Sequence, residues 1–143
     1  MNEVRRTVLS LAKKEEDSGD FCFYENLNYE EGNIASSKEK LQRVWNILNK
    51  SEIFHQFPLS AKHRNALNRI FSRPTSHQLY SISSYQANIL YPGAEKQKIH
   101  IDTPVPEPIP IWPIKVNTVN LLDDFTETIG STMLAPKSHR LQR

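Results

Sequence analysis

The sequence predicts an α+β fold, with N-terminal helices followed by strands, on three observations. Residues 1–77 carry apolar side chains at helical spacing together with capping residues. From 78 to 143 the helix period gives way to β-branched, aromatic and serine-rich runs. Five prolines at 104, 106, 108, 110 and 113 forbid helix in the middle of that second part. Such segregation points away from alternating βαβ units, so we read one domain, 1–143, with a mainly helical region (1–77) and a strand-and-loop region (78–143). A chain of 143 residues suits a single small domain burying roughly two thirds of its unfolded surface. Its hydrophobic share of 38 % lies below the usual figure of about 45–50 %, as expected for a piece of a larger fold.

Taken in order, Val4, Val8, Leu11 and Ala12 repeat at helical spacing and run into Ser18-Gly19, a stop signal. Residues 21–24 form a short apolar run that reads as a strand. Ser36 with Glu39 is a capping-box pattern, and Leu41, Val44, Trp45 and Leu48 then follow at i, i+3, i+4 and i+7, predicting a helix with Trp45 in its core stripe. Ser51 and Ser60 are expected to cap two further helices, one over residues 52–57 and one carrying Ala61, Leu67, Ile70 and Phe71 before Pro74 ends it. Residues 79–90 read as a long strand ending in the turn Tyr91-Pro92-Gly93. Beyond the proline loop, 114–122 and 132–135 read as strands separated by a turn over 123–130.

Charge and cysteine usage exclude several classes of function. A net charge of +2 with the basic residues spread through both halves provides no run that would follow a phosphate backbone, so nucleic acid is not the expected partner. No stretch approaches the roughly 18 apolar residues of a membrane span, and the first sixteen residues are too charged for a signal peptide, so no membrane association is expected. The single Cys22 forms no internal disulfide and reads as a small packing residue suited to a reducing cytoplasm. The expected setting is cytoplasmic.

The chemistry-bearing feature is His100-Ile101-Asp102. On extended backbone, side chains two residues apart share one side, so an imidazole and a carboxylate here can grip one face of a metal ion. Two His and one carboxylate around ferrous iron is a recurring site with open positions for substrate and O2. With five His and five Asp in the chain, chance alone produces about 0.2 such triplets, so the motif needs its context.

That context is Gln86-Ala87-Asn88-Ile89-Leu90-Tyr91-Pro92-Gly93-Ala94 before the triplet, with residues 121–126 and 130–140 after it. In this order the stretches resemble the phytanoyl-CoA dioxygenase family of iron(II)- and 2-oxoglutarate-dependent oxygenases, and residues 43–48 are similar to the helical region preceding that family's catalytic core. The resemblance implies a double-stranded β-helix (jelly-roll) core flanked by helices. It further implies Fe(II) held by His100 and Asp102, with 2-oxoglutarate and O2 as cosubstrates and hydroxylation of a small molecule or acyl substrate as the reaction. In the family a distal His follows tens of residues later, with an Arg about ten residues beyond it that forks onto the far carboxylate of 2-oxoglutarate. Neither is found in this sequence, which implies a C-terminally truncated, inactive catalytic unit.

His139 is the alternative third ligand, although the family pattern places its Pro-x-Ser-His stretch in a loop beside the site, and Arg140 and Arg143 lie too close to His139 to replace the distal Arg. A non-catalytic fragment, or a metal-binding jelly roll without oxygenase activity, is the alternative function. Lys137 stands where the family has Gly, and Ile129 where it has Asn. His55, His63 and His77 read as surface or capping residues. Trp112 either packs on the prolines or covers a substrate mouth. Of the strand before the triplet, Gln86 and Asn88 share one face and Tyr85, Ala87 and Ile89 the other, and the sequence leaves open which of them lines a pocket.

Overall fold

The structure, a computed structural model, describes residues 2–20, 22–23, 41–71, 80–94, 97, 99–101, 108, 110 and 112–138. It is α+β. Helix α1 (Asn2–Ser18) turns Val4, Val8 and Ala12, four residues apart, into the core. Its end is a Schellman arrangement: Gly19 at φ 77 donates to the Glu16 carbonyl (3.2 Å) and Asp20 to the Glu15 carbonyl (2.9 Å), which satisfies two terminal carbonyls. The expected stop at Ser18-Gly19 therefore has a hydrogen-bonding cause.

Three short strands follow, β1 (Cys22–Phe23), β2 (Leu41–Val44) and β3 (Ala87–Leu90), all antiparallel in the order β1-β2-β3. Leu41 faces Leu90 and Val44 faces Ala87 across the β2–β3 pair. The strand expected over 21–24 is present at Cys22–Phe23. The helix expected over 41–48 is not.

Leu41, Val44, Trp45 and Leu48 do have helical spacing, but burial alternates instead: Gln42 and Val44 are inside at 2 % and 0 % exposure, with Leu41 and Arg43 half-buried between them. A short apolar run is ambiguous between the two periods, and here pairing with β3 decides it. Asn46 at φ 52 ends the strand, and the chain continues as a 3-10 turn, Ile47–Asn49. Ile47, outside the expected stripe, is buried, whereas Trp45 is exposed with the Arg43 guanidinium 5.4 Å over its ring. The first half is thus not purely helical, because it supplies two of the three strands.

Residues Glu52–Gln56 form a second 3-10 helix that begins after Ser51 as expected, though the Ser51 side chain makes no capping bond. Helix α2 (Ala61–Ile70) begins at Ser60, whose hydroxyl accepts from the His63 backbone N–H at 3.2 Å. The core consists of Val4, Val8, Ala12, Val44, Ile47 and Phe54, and against it pack Leu11, Leu48, Ile53, Phe57, Tyr85, Ala87, Ile89 and Leu122.

The second half carries less ladder than its alternation predicts. Of the strand expected over 79–90 only Ala87–Leu90 is paired, residue 79 lying outside the described residues. Residues 114–122 and 132–135 are not strands; most of their side chains are exposed and they have no ladder neighbour among the described residues. A strand exists only when a neighbour satisfies its backbone groups, which alternation alone does not provide. The turn over 123–130 is present as the 3-10 segment Glu127–Ile129 closed by Gly130 at φ 83. A jelly roll is not seen among the described residues, and neither Ser36 nor Glu39 is among them.

Buried Gln42 holds these parts together. Its Nε2 donates to the Ala12 carbonyl (3.1 Å) and its Oε1 accepts from the Tyr91 hydroxyl (2.8 Å), linking α1, β2 and the residue after β3. Gln42→Leu should lower stability by about 1–3 kcal/mol, because it leaves both partners without a bond. In urea unfolding, Tyr91→Phe should cost less than Gln42→Leu, and the double variant should be less damaging than the sum of the two.

Candidate metal centre

The approach to the triplet is built from β3 outward. Tyr85, Ala87 and Ile89 pack against the core, so Gln86 and Asn88 lie on the outer face, where Gln86 Nε2 donates to Asn88 Oδ1 at 3.3 Å. This settles which set of side chains is turned to the interior. Ile47 N–H donates to the Tyr85 carbonyl at 3.2 Å, extending the β2–β3 contact beyond the ladder.

After β3 the chain reverses through Tyr91-Pro92-Gly93-Ala94. Ala94 N–H donates to the Tyr91 carbonyl at 3.0 Å, and Gly93 sits at φ 83. Proline at the second position and positive φ at the third are the marks of a type II turn. His100 follows this turn and is exposed, as are its neighbours Ile99 and Ile101 at 70 % and 62 %. Asp102, His139, Arg140 and Arg143 lie outside the described residues, and so does His77. Among the described residues no group of three or more His, Cys, Asp or Glu is placed to hold a metal ion.

A second turn repeats the geometry of the first. Ser138 N–H donates to the Ala135 carbonyl at 3.2 Å, Pro136 is second, and Lys137, third, is held at φ 65. The place where the resembled family has glycine is thus one where the backbone favours glycine, and a lysine occupies it. Gly130 supplies a further link: at φ 83, a Cβ on it would meet Leu90 Cδ2 at 3.3 Å, so the 121–130 segment lies against the end of β3.

The remaining histidines have local roles. His55 places Nε2 2.9 Å from the Leu48 carbonyl and ties the two 3-10 segments together. His63 contributes its backbone N–H to the α2 cap. Trp112 is half exposed. Gln42 and Tyr91 are the residues that sequence reasoning missed, and residues 41–44 carried no local signal for Gln42, since their polarity does not alternate.

Neither a family model, nor a curated protein, nor a solved structure matches this chain.

Burial pushes the Tyr85 phenol up from its ordinary 10.0 to about 12. An unfolded chain releases that proton near the ordinary value, so the stabilisation is complete below about pH 10 and is lost as pH rises to about 12. In urea unfolding the wild-type protein should lose stability progressively across that window, and Tyr85→Phe should flatten the dependence; near-ultraviolet absorbance follows the phenolate and circular dichroism the fold. At the second turn, Lys137→Gly should raise stability by about 0.5–1 kcal/mol in urea unfolding, since removing a left-handed side chain gains more than glycine's entropy costs.

Proposed function

We propose that this chain is the metal-binding part of a non-haem Fe(II)/2-oxoglutarate-dependent dioxygenase built on a double-stranded β-helix, with His100 and Asp102 as two of the iron ligands. The observation that carries the proposal is the succession of β3, a type II Pro-Gly turn and His100, followed downstream by a second type II turn in which Lys137 takes the family's glycine position. The donor set fits the metal. A neutral imidazole and a carboxylate suit Fe(II), and one residue between them places both on the same side of an extended chain. When bound, iron with 2-oxoglutarate and O2 supplies hydroxylation of an unactivated C–H bond, here on a small molecule or acyl substrate.

The chain's own residues hold and orient. Tyr91, anchored by Gln42, fixes where the triplet's loop departs from the sheet, and the Pro92-Gly93 turn sets its direction. Exposed His100 is reached from solvent without opening the core. The family's distal His and Arg have no counterpart in residues 1–143, so metal binding rather than turnover is the informative measurement.

Anaerobic Fe(II) titration followed by calorimetry, with Mn(II) as a magnetic probe, should show one site per chain. His100→Ala and Asp102→Ala should each weaken it about tenfold or more, since losing a ligand costs at least as much as losing a residue that orients one. Binding that neither substitution changes would refute the assignment.

A further inference from the structure

Although the lack of a spanning segment or signal peptide set the expectation of no membrane association, we propose that α2 is a surface helix that docks this protein onto an anionic lipid bilayer. The helix is well formed and capped, yet none of its residues is buried. With about 3.6 residues per turn, Ala66, Leu67, Ile70 and Phe71 fall on one face with His63 among them; Ala66 and Ile70 are exposed, and Leu67, Phe71 and His63 half-buried. Ile70 is 44 % exposed, and Leu59, just before the cap, is 68 % exposed. Phe71 stacks on Tyr80 at 5.9 Å between ring centroids, which extends the apolar surface beyond the helix end.

Cations border this face. Lys62 and Arg69 lie along one side and Arg64 along the other, all exposed, while Asn65 and Asn68 occupy the opposite side. Between Glu52 and Glu95 the sequence contains no Asp or Glu, while it includes Lys62, Arg64, Arg69 and Arg73 and three histidines, in a protein whose net charge is only +2.

An apolar stripe flanked by long basic side chains is the arrangement that lies in a membrane interface, with the stripe in the acyl boundary and the cations reaching lipid phosphates. A nucleic acid would use the cations and leave the stripe in water, so a bilayer accounts for more of the surface. No helix among the described residues is long and apolar enough to cross a membrane. The contact is therefore with one leaflet. It does not depend on the metal site.

Co-sedimentation of the full chain with mixed phosphatidylserine/phosphatidylcholine vesicles, against pure phosphatidylcholine vesicles, tests this. Binding is expected to the mixed vesicles only. Joint reversal of the three cations, Lys62→Glu, Arg64→Glu and Arg69→Glu, should weaken it by at least about a hundredfold, since losing each cation alone is about fivefold. Leu59→Asn with Ile70→Asn should also weaken it while leaving binding to heparin, a soluble polyanion, unchanged. Circular dichroism checks that the helix persists, and the milder Lys62→Gln, Arg64→Gln and Arg69→Gln set serves if charge reversal unfolds it. Failure to bind mixed vesicles would overturn the proposal. So would a loss confined to the charge variants with none in the apolar pair, which would mark a polyanion surface instead.

Discussion

The register of β2 is the constraint on which the rest of the structure depends, and Gln42 enforces it. A strand shifted by one residue exchanges its faces, which here would bury Arg43 and expose Gln42 and Val44. Hydrophobicity alone would oppose that exchange only weakly, because one of the two inward side chains is itself polar. The hydrogen bonds supply the difference. Gln42 donates its amide nitrogen to the Ala12 carbonyl and accepts from the Tyr91 hydroxyl on its amide oxygen. At 2 % exposure an amide without those partners would be costly, so the two bonds select one register.

Several placements follow from that register. With Val44 opposite Ala87, the β3 side chains Ala87 and Ile89 join α1 over the core. Tyr85 is then brought alongside Ile47, whose N–H it accepts, and its phenol is held in the apolar surroundings that raise its pKa. The second half of the chain is attached to this unit at a few points: Leu122 against the core, the Arg5–Asp123 ion pair at 2.6 Å, and Gly130 beside Leu90. The ion pair is exposed on both sides and adds little, so apolar contact and close backbone approach carry the attachment.

What was legible in the sequence was local. The α1 stripe and its Gly19 stop, the Ser60 cap and the Pro92-Gly93 turn each depend on a few adjacent residues, and each is present. The 41–48 segment was misread because four apolar residues fit a helix while the deciding partners, Ala12, Ala87 and Tyr91, lie far away in the chain. The 114–122 segment failed the other way: it alternates, but alternation describes a surface and does not supply a neighbour. For the proposed metal site, a motif and its order along the chain were readable. Which set of β3 side chains turns inward became clear only from the packing of Tyr85, Ala87 and Ile89.

Exposure in the second half bears on the proposed chemistry. Ile99 and Ile101, Val119 and Leu134 are each more than 60 % exposed, while the six core residues belong to residues 4–54. On an extended backbone, Ile99 and Ile101 would alternate with His100 and Asp102. A sequence with donors at alternate positions and isoleucines between them has the pattern of a half-buried strand, yet Ile99, His100 and Ile101 are all exposed. In a free segment both sides meet water, and an ion gripped by two donors would exchange readily with solvent. Covering the isoleucine side would hold the segment extended, keep both donors on one side, and lower the entropy lost on binding metal. In the proposed site, the packing of Ile99 and Ile101 would therefore decide how firmly His100 and Asp102 hold iron.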